Sequence, residues 1–387
     1  MIYLDSNATT RPADAVVDAV TETLRQTWHN PSSIHRAGQS ARRAVEQSRS
    51  RVARLIGARP RQVVFTSGAT ESLHWAIRGL LELGRRQNKR VIVTSRLEHN
   101  AVVDFVEHLE ARGEATVRWA PVTTEGAVEV DAMAPLIDDS VALVCAQWAN
   151  NETGVIQPID AIGELCRSAG VPFLCDGAQW VGKMPADVSD APFDALTISA
   201  HKFHGPKGVG ALWLRPGLSI PPAAPGAQET GQRGGTENVP GIVGMGVAAN
   251  LAADWLGDEP NRAQGADRRD RFEEQLHARI AGVVINGASS AASTARLWNT
   301  SNVGFEGVQS EALLIALSER GLCASAGAAC SSGSLDPSPI LRAMNIPEPI
   351  AHGSLRFSLS RETTQADIDQ AIDIIAQCVD RVKLVHH

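Results

Sequence analysis

The 387-residue chain is 43% hydrophobic and 20% charged, which is enough apolar material for a large core and rules out a disordered chain. Single cores stop growing at roughly 250–300 residues, so two lobes are expected. A formal net charge of −7, with arginine pairs scattered and no basic run, excludes the basic face that nucleic-acid binding needs. No apolar run approaches the ~18 residues of a membrane helix. The opening "MIYLDSNATTRP" lacks the layout of a signal peptide, so a cytoplasmic protein is expected. The six cysteines (145, 166, 175, 323, 330 and 378) show no C-x-x-C pair and no zinc spacing, and no metal site is expected.

From about residue 60 to 215, short β-rich runs alternate with helical patterns. The runs "QVVFT" (62–66), "RVIVT" (90–94), "VALVCAQ" (141–147), "VPFLC" (171–175), "DALTIS" (194–199) and "VGALWL" (209–214) read as buried strands, with helices at 70–83, 100–112 and 158–169. This alternation predicts an α/β architecture with a mostly parallel sheet, whose ligands sit at the carboxyl ends of the strands. "IPPAAPGAQETGQRGG" (220–235) reads as a long loop, followed by a helix from 238 to about 257. A charged helix (266–280) then leads into short strands ("VVIN", "TSNVGF", "SLRFSLS"), a helix at 309–319 and a final helix from about 364. The division expected is a large α/β domain over 15–260 and a smaller α+β domain formed by 1–14 and 261–387.

Three strand ends carry chemistry-bearing residues. "VVFT" runs into "SGATES" (67–72), where small residues open a helix and leave backbone N–H groups for an anion, best a phosphate; Gly68 and Thr70 are also ordinary helix-start residues. "PFLC" ends at Asp176, a position where a carboxylate is commonly only a turn or cap residue. "DALTIS" ends in "AHKFHGPKGVG", with Lys202 three residues beyond the strand. A lysine amine forms a Schiff base with an aldehyde, and a carboxylate keeps a pyridinium nitrogen protonated. Phosphate seat, carboxylate and lysine together point to pyridoxal phosphate more specifically than any of the three alone. A fourth feature stands apart: in "SAGAACSSGSLDPS" (325–338) Cys330 lies among small residues that could form no core, whereas Cys145, Cys166, Cys175 and Cys378 fall in apolar or helical patterns that suit inert buried thiols.

With these motifs, and with "YLDSNATT" (3–10), "HNPSSIHRAG" (29–38), "LEHNAV" (97–102), "NNETGVIQPI" (150–159), "GTENV" (235–239) and "LRFSLSRETT" (355–364) in the same order, the chain resembles the cysteine desulfurases nearly end to end. These are a branch of the class V aminotransferase-like pyridoxal-phosphate enzymes, and the nitrogen-fixation-associated form is the most similar. The resemblance implies pyridoxal-phosphate transferase fold type I, with a mostly parallel seven-stranded sheet. It implies that Lys202 carries the cofactor, that Asp176 pairs with its ring nitrogen, that Gln179 bonds its phenolic oxygen, and that His99 stacks on the ring and assists proton transfer. Asn151 would lie beside the ring. Ala69, Thr70, Ser199 and His201 would hold the phosphate, with Thr236 reaching in from a second subunit of a homodimer. Asn30 and Arg356 would bind the substrate carboxylate, and Cys330 would accept the sulfur. Taken alone, His99 reads more naturally as a satisfied strand-end histidine, Asn151 as a turn former and Arg356 as one half of a surface ion pair.

The activity implied is conversion of L-cysteine to L-alanine, with the sulfur taken by Cys330 as a persulfide and passed to an iron–sulfur scaffold or another acceptor protein. A small-residue segment around Cys330 would let the thiolate collect sulfur in the site and carry it out. The alternatives are a selenocysteine lyase or another class V enzyme, such as an aminotransferase, which would not need Cys330, and a non-catalytic sulfur-relay protein. Two departures from the family pattern stand out: Ser6 where the family has asparagine, and Pro225 and Thr230 in the loop that precedes Thr236.

Overall fold

The computed structural model describes residues 1–288, 295–327 and 337–385; Cys330 and its neighbours lie outside the described residues. The chain opens with a short strand β1 (Ile2–Tyr3) and helices α1 (Asp14–Gln26) and α2 (Arg36–Leu55). Seven strands follow: β2 (Val63–Thr66), β3 (Val91–Ser95), β4 (Thr116–Ala120), β5 (Val141–Gln147), β6 (Phe173–Asp176), β7 (Ala195–Ser199) and β8 (Gly210–Leu214). Between them run α3 (Ala69–Arg85), α4 (Asn100–Ala111), the single turn α5 (Val130–Met133) and α6 (Ile159–Ala169). The strands form one sheet in the order β2-β8-β7-β6-β5-β3-β4. Every pair from β7 to β4 is parallel, and β8 runs antiparallel between β2 and β7. Buried side chains pack on both faces of the sheet. Val93, Val144, Phe173 and Ile198 belong to one layer; Ile92, Leu143, Leu174 and Leu212 belong to the other.

The six expected strands are all present. β4, one of the two edge strands, gave no apolar run because it buries only Val117 and Ala120. Its exposed partner side carries polar residues, as edges do. Helices α1 and α2 had no place in the expected pattern either. α7 (Val239–Gly257) packs along both of them and buries Val239, Ile242, Met245, Ala248, Ala249 and Ala252. Contrary to the expectation that no apolar stretch of that length exists, α7 is long and apolar enough to cross a membrane. Its two long neighbours make it a core helix, hydrophobic on several sides because it is covered on several sides.

The rest of the described chain is built on a second core. α8 (Pro260–Arg279) leads to β9 (Val283–Asn286), β10 (Thr300–Phe305), α9 (Ser310–Glu319), β11 (Leu322–Cys323) and β12 (Ser325–Ala326). The short helices α10 (Pro339–Ala343) and α11 (Glu348–His352), then β13 (Ser354–Ser358) and α12 (Gln365–Val385), complete it. The antiparallel sheet β12-β13-β10-β9 and the parallel pair β1-β11 pack on α8, α9 and α12 through Phe272, Leu276, Val303, Leu313, Phe357, Ile372 and Ile375. Ile2 and Leu4 join this core, so the first residues of the chain reach across to its last third before residues 5–10 turn back to the large sheet.

The long loop 220–235 is tied down by one buried pair. The Arg49 guanidinium donates to both carboxylate oxygens of Glu229, at 2.6 and 2.7 Å, and the amide of Phe65 donates to the same carboxylate at 2.7 Å. Glu229 and Thr230 both sit at positive φ, 48° and 56°, a costly conformation for a β-branched residue that the anchored carboxylate holds in place.

Candidate active site

The carboxyl ends of β5, β6 and β7 are level, with Gln147 opposite Asp176 and Asp176 opposite Thr197. The turn after β2 meets them at the same edge, since Thr66 pairs with Gly210 at the start of β8. Gly210 has to be glycine here: a Cβ would come within 2.5 Å of the Ile198 carbonyl oxygen and 2.7 Å of Gly68 Cα. That close approach brings the start of α3 against the segment bearing Lys202. The result is a cavity of about 590 Å³ lined by Ser67 to Glu71, His99, Asn151, Asp176, Gln179, Ser199, His201 and Lys202, with Ala8 and Thr9 from the N-terminal segment.

Asp176 is buried. Its Oδ1 accepts from the amide of Ala178 (2.9 Å) and the hydroxyl of Thr197 (2.8 Å), and no donor among the described residues is hydrogen-bonded to Oδ2. Lys202, on the single turn after β7, donates to the carbonyl oxygens of Asn7 (2.6 Å) and Ala8 (3.0 Å). The first-turn amides of α3, at Ala69 and Thr70, have no intrahelical acceptor, as at any helix start, and they line the cavity. His99 caps α4: its Nδ1 accepts from the Ala101 amide at 3.0 Å, which leaves the proton of the neutral ring on Nε2. Burial pushes the His99 imidazolium below the ordinary range, Asp176 opposes, and Lys202 adds to the fall, so the neutral ring is the resting form.

Asn151 presents a buried Oδ1 that has no partner among the described residues. Its carbonyl oxygen accepts from Asn7 Nδ2 (3.1 Å) and from Arg356 Nη1 (3.2 Å). Arg356 is buried on β13, opposite Ser325 of β12. Its Nη2 donates to Asp5 at 2.7 Å, and its buried Nε has no partner among the described residues. Three expected residues lie outside this lining: Arg356, which donates to the Asn151 carbonyl oxygen, and two others. Asn30 is exposed in a turn, accepting from the Ser32 amide at 2.9 Å, and Thr236 is exposed; neither lines the cavity.

Four residues not anticipated from the sequence organise the site. Asn7 is its hub: its carbonyl oxygen takes Lys202 and Gln179, its Oδ1 takes Lys183 and Asn299, and its Nδ2 donates to Asn151 and Thr300. Lys183 is fully buried between Asn7 and Gln179. Glu98, beside His99, accepts from the Gln147 amide at 3.0 Å, and burial, with the Asp176 charge adding, raises its carboxyl well above the usual range. Glu152 is buried where the described chain leaves β12 and returns. A Cβ on Gly327 would overlap its carboxylate, and the Ser338 hydroxyl donates to it at 2.6 Å. The motifs containing Asn7, Glu98, Glu152 and Lys183 are visible in the sequence, but no spacing within them signals these contacts.

His201 and His204 make the site acid-sensitive. Burial, with Lys202 adding for the first and Arg361 for the second, pushes both imidazoles from 6.5 down to about 4. Between those values the unfolded chain binds protons that the folded chain refuses, so stability falls as pH drops through that window and levels off below it. Cofactor-free protein is expected to melt several degrees lower at pH 5 than at pH 7.5, and His204→Gln is expected to flatten part of that fall. An identical pH profile for the variant in differential scanning calorimetry would contradict the assignment.

Taken together, a mostly parallel sheet with a lysine, a buried carboxylate and a helix start converging at its carboxyl edge defines an α/β enzyme that works on a ligand held between strand ends. The aminotransferase class-V family model matches residues 2–371, and the chain belongs to that family. A cysteine desulfurase of Nostoc sp. is 43% identical over 384 residues, covering 99% of this chain and 94% of the relative. Among solved structures, a NifS-like protein superposes with a TM-score of 0.90 at 32% identity, covering 98% of this chain and 99% of its own. SspA in complex with cysteine superposes with a TM-score of 0.80 at 32% identity, covering 94% and 100%.

Proposed function

We propose that the protein is a pyridoxal-phosphate-dependent cysteine desulfurase. The observation that carries this reading is the convergence of Lys202, Asp176 and the start of α3 on one cavity from adjacent strand ends. The site fits the cofactor on its own chemistry. Asp176 has one carboxylate oxygen fixed and the other without a donor among the described residues, and Asn151 Oδ1 is a buried acceptor to which no described residue donates. Ser199, His201, Ala69 and Thr70 line the part of the cavity where free amides favour a phosphate. Lys202 would carry the cofactor, Asp176 would hold its ring nitrogen protonated, and Gln179 would bond its ring oxygen. Once bound, pyridoxal phosphate supplies an electron sink for the carbon skeleton of an amino acid.

The chain's own groups do the rest. The Lys202 amine moves a proton at the substrate α-carbon, a contribution of about 10²–10⁴-fold. Neutral His99, with its proton on Nε2, is set to donate or stack without adding charge. The Cys330 thiolate attacks the substrate sulfur. A sulfur–sulfur bond forms as the carbon–sulfur bond breaks, the electron pair stays with the three-carbon skeleton, and that skeleton leaves as alanine after protonation. Cys330 is left as a persulfide; a thiolate of an acceptor protein, such as an iron–sulfur scaffold, then attacks its outer sulfur, taking that sulfur as its own persulfide while Cys330 leaves as a thiolate. A homodimer suits this reading, because Thr236 is exposed and Trp28 and Ile34 stand 65% and 95% exposed on the same molecule. The test is direct: purified, cofactor-loaded protein given L-cysteine and a reductant should release sulfide and alanine in equal amounts, and alanine without sulfide would sink the proposal.

Arg356 is the expected carboxylate fork. Asp5 and the Asn151 carbonyl oxygen fix its guanidinium beside the cavity-lining Asn151. Arg356→Lys keeps the charge but cannot hold Asp5 and a substrate carboxylate together. KM for L-cysteine is expected to rise by roughly tenfold or more, with a smaller change in kcat. An unchanged KM in initial-rate kinetics would place Arg356 outside the substrate site.

A further inference from the structure

Lys183 is a fully buried lysine that the reaction described above does not use. It lies in the turn that follows β6, four residues after Gln179. Gly182, at φ 82°, allows that turn; a Cβ there would come within 2.4 Å of Phe203 Cβ. The Lys183 amine donates to Gln179 Oε1 at 2.5 Å and to Asn7 Oδ1 at 2.8 Å. Protonated or neutral, it has at least two N–H groups, one for each oxygen.

The surrounding groups leave the Gln179 amide a single orientation. The Asn7 carbonyl oxygen can only accept, and Gln179 Nε2 donates to it at 3.0 Å. The Asn7 side chain is itself fixed, because its Nδ2 donates to the Asn151 carbonyl oxygen and to Thr300 Oγ1, so its Oδ1 must face Lys183. Gln179 Oε1 therefore belongs to Lys183, one Nε2–H belongs to Asn7, and the second Nε2–H, on a residue that lines the cavity, has no acceptor among the described residues. A flipped amide would set oxygen against oxygen at Asn7 and offer the cavity an acceptor.

We propose that Lys183 is a positioning residue. By latching Gln179 Oε1 against Asn7, it keeps the spare Gln179 N–H available as a donor to an acceptor oxygen on the ring of the bound cofactor. The inference rests on the pyridoxal-phosphate reading and concerns how the site grips that ring. Burial, with the charges of Lys202 and Arg356 adding, holds the Lys183 ammonium well below the lysine range, in keeping with an amine enclosed by the site. Without Lys183, Gln179 Oε1 is a buried oxygen with no donor, and the amide has no orientation free of penalty.

The test uses pyridoxal phosphate as the probe, with wild type, Lys183→Met, Lys183→Gln, Gln179→Ala and the double variant Lys183→Met/Gln179→Ala. Three quantities are read: the cofactor dissociation constant by equilibrium dialysis, the pH midpoint of the visible cofactor band, and the melting temperature of the cofactor-free protein. Lys183→Met should weaken binding roughly tenfold. It should also raise the pH midpoint by about 0.5–1 unit, because a loosened donor returns charge to the ring oxygen. Lys183→Gln keeps an N–H for Gln179 and should stay close to wild type in both. In the Gln179→Ala background, Lys183→Met should add nothing, since its partner is gone. Additive losses in the double variant, or wild-type behaviour of Lys183→Met, would overturn the proposal. If Lys183→Met fails to fold, Lys183→Gln decides: wild-type binding and midpoint support the latch, and values matching Gln179→Ala overturn it. If wild type itself binds no pyridoxal phosphate, the cofactor reading fails first, and that outcome is distinct from every result with the variants.

Discussion

Lys202→Ala should lose at least ~10³-fold in kcat/KM for L-cysteine while keeping its fold, because it removes both the covalent anchor of the cofactor and the amine that moves the α-proton. The substitution deletes a partly exposed amine that donates to the backbone carbonyl oxygens of Asn7 and Ala8, and the fold is expected to tolerate its removal. The circular dichroism spectrum should be unchanged and the melting temperature close to wild type. Alanine production within about tenfold of wild type would remove Lys202 from the chemistry.

Cys330→Ser should separate the two halves of the reaction. The cofactor and its surroundings activate the carbon skeleton, and only a thiolate takes the sulfur. A serine hydroxyl is barely ionised at neutral pH and is a poor nucleophile toward sulfur. The variant should bind pyridoxal phosphate as tightly as wild type and still change its absorption when L-cysteine is added. Its release of sulfide and alanine should fall by at least ~10³-fold. Wild type given L-cysteine without reductant should carry one additional sulfur on the Cys330 peptide, removable by a thiol reductant. Mass spectrometry that placed the sulfur on Cys323, the half-buried cysteine of β11, would contradict the assignment.

What could be read in the sequence follows from how local each signal is. β5 to β8 are buried on both faces, and their uninterrupted apolar runs announced them; β4 is exposed on one side and gave no such run. Asp176, Lys202 and the start of α3 were legible because each sits at the end of such a run, where an α/β sheet puts its ligand. Cys145, Cys166 and Cys175 were legible as inert thiols, and the structure buries them and pushes their pKa values up, Cys166 to about 12. The residues that escaped notice act across long sequence distances. Asn7 and Lys183 are 176 positions apart, and Glu152 and Ser338 are 186 apart. Nothing in "SNATT" or "DGAQWVGK" says that one will hold the other. The Arg49–Glu229 pair that fixes the loop before Thr236 was hidden for the same reason, since the sequence shows only a Pro- and Gly-rich stretch there.

The central claim is that the strand-end cavity holds pyridoxal phosphate through Lys202. Borohydride reduction of the cofactor-loaded protein, followed by peptide mass spectrometry, tests it most directly, because reduction fixes the cofactor to whichever amine carries it. The account predicts loss of the visible absorption band and a single phosphopyridoxyl addition on the peptide containing Lys202. An addition on Lys183, on Lys207 or on no lysine at all would contradict it.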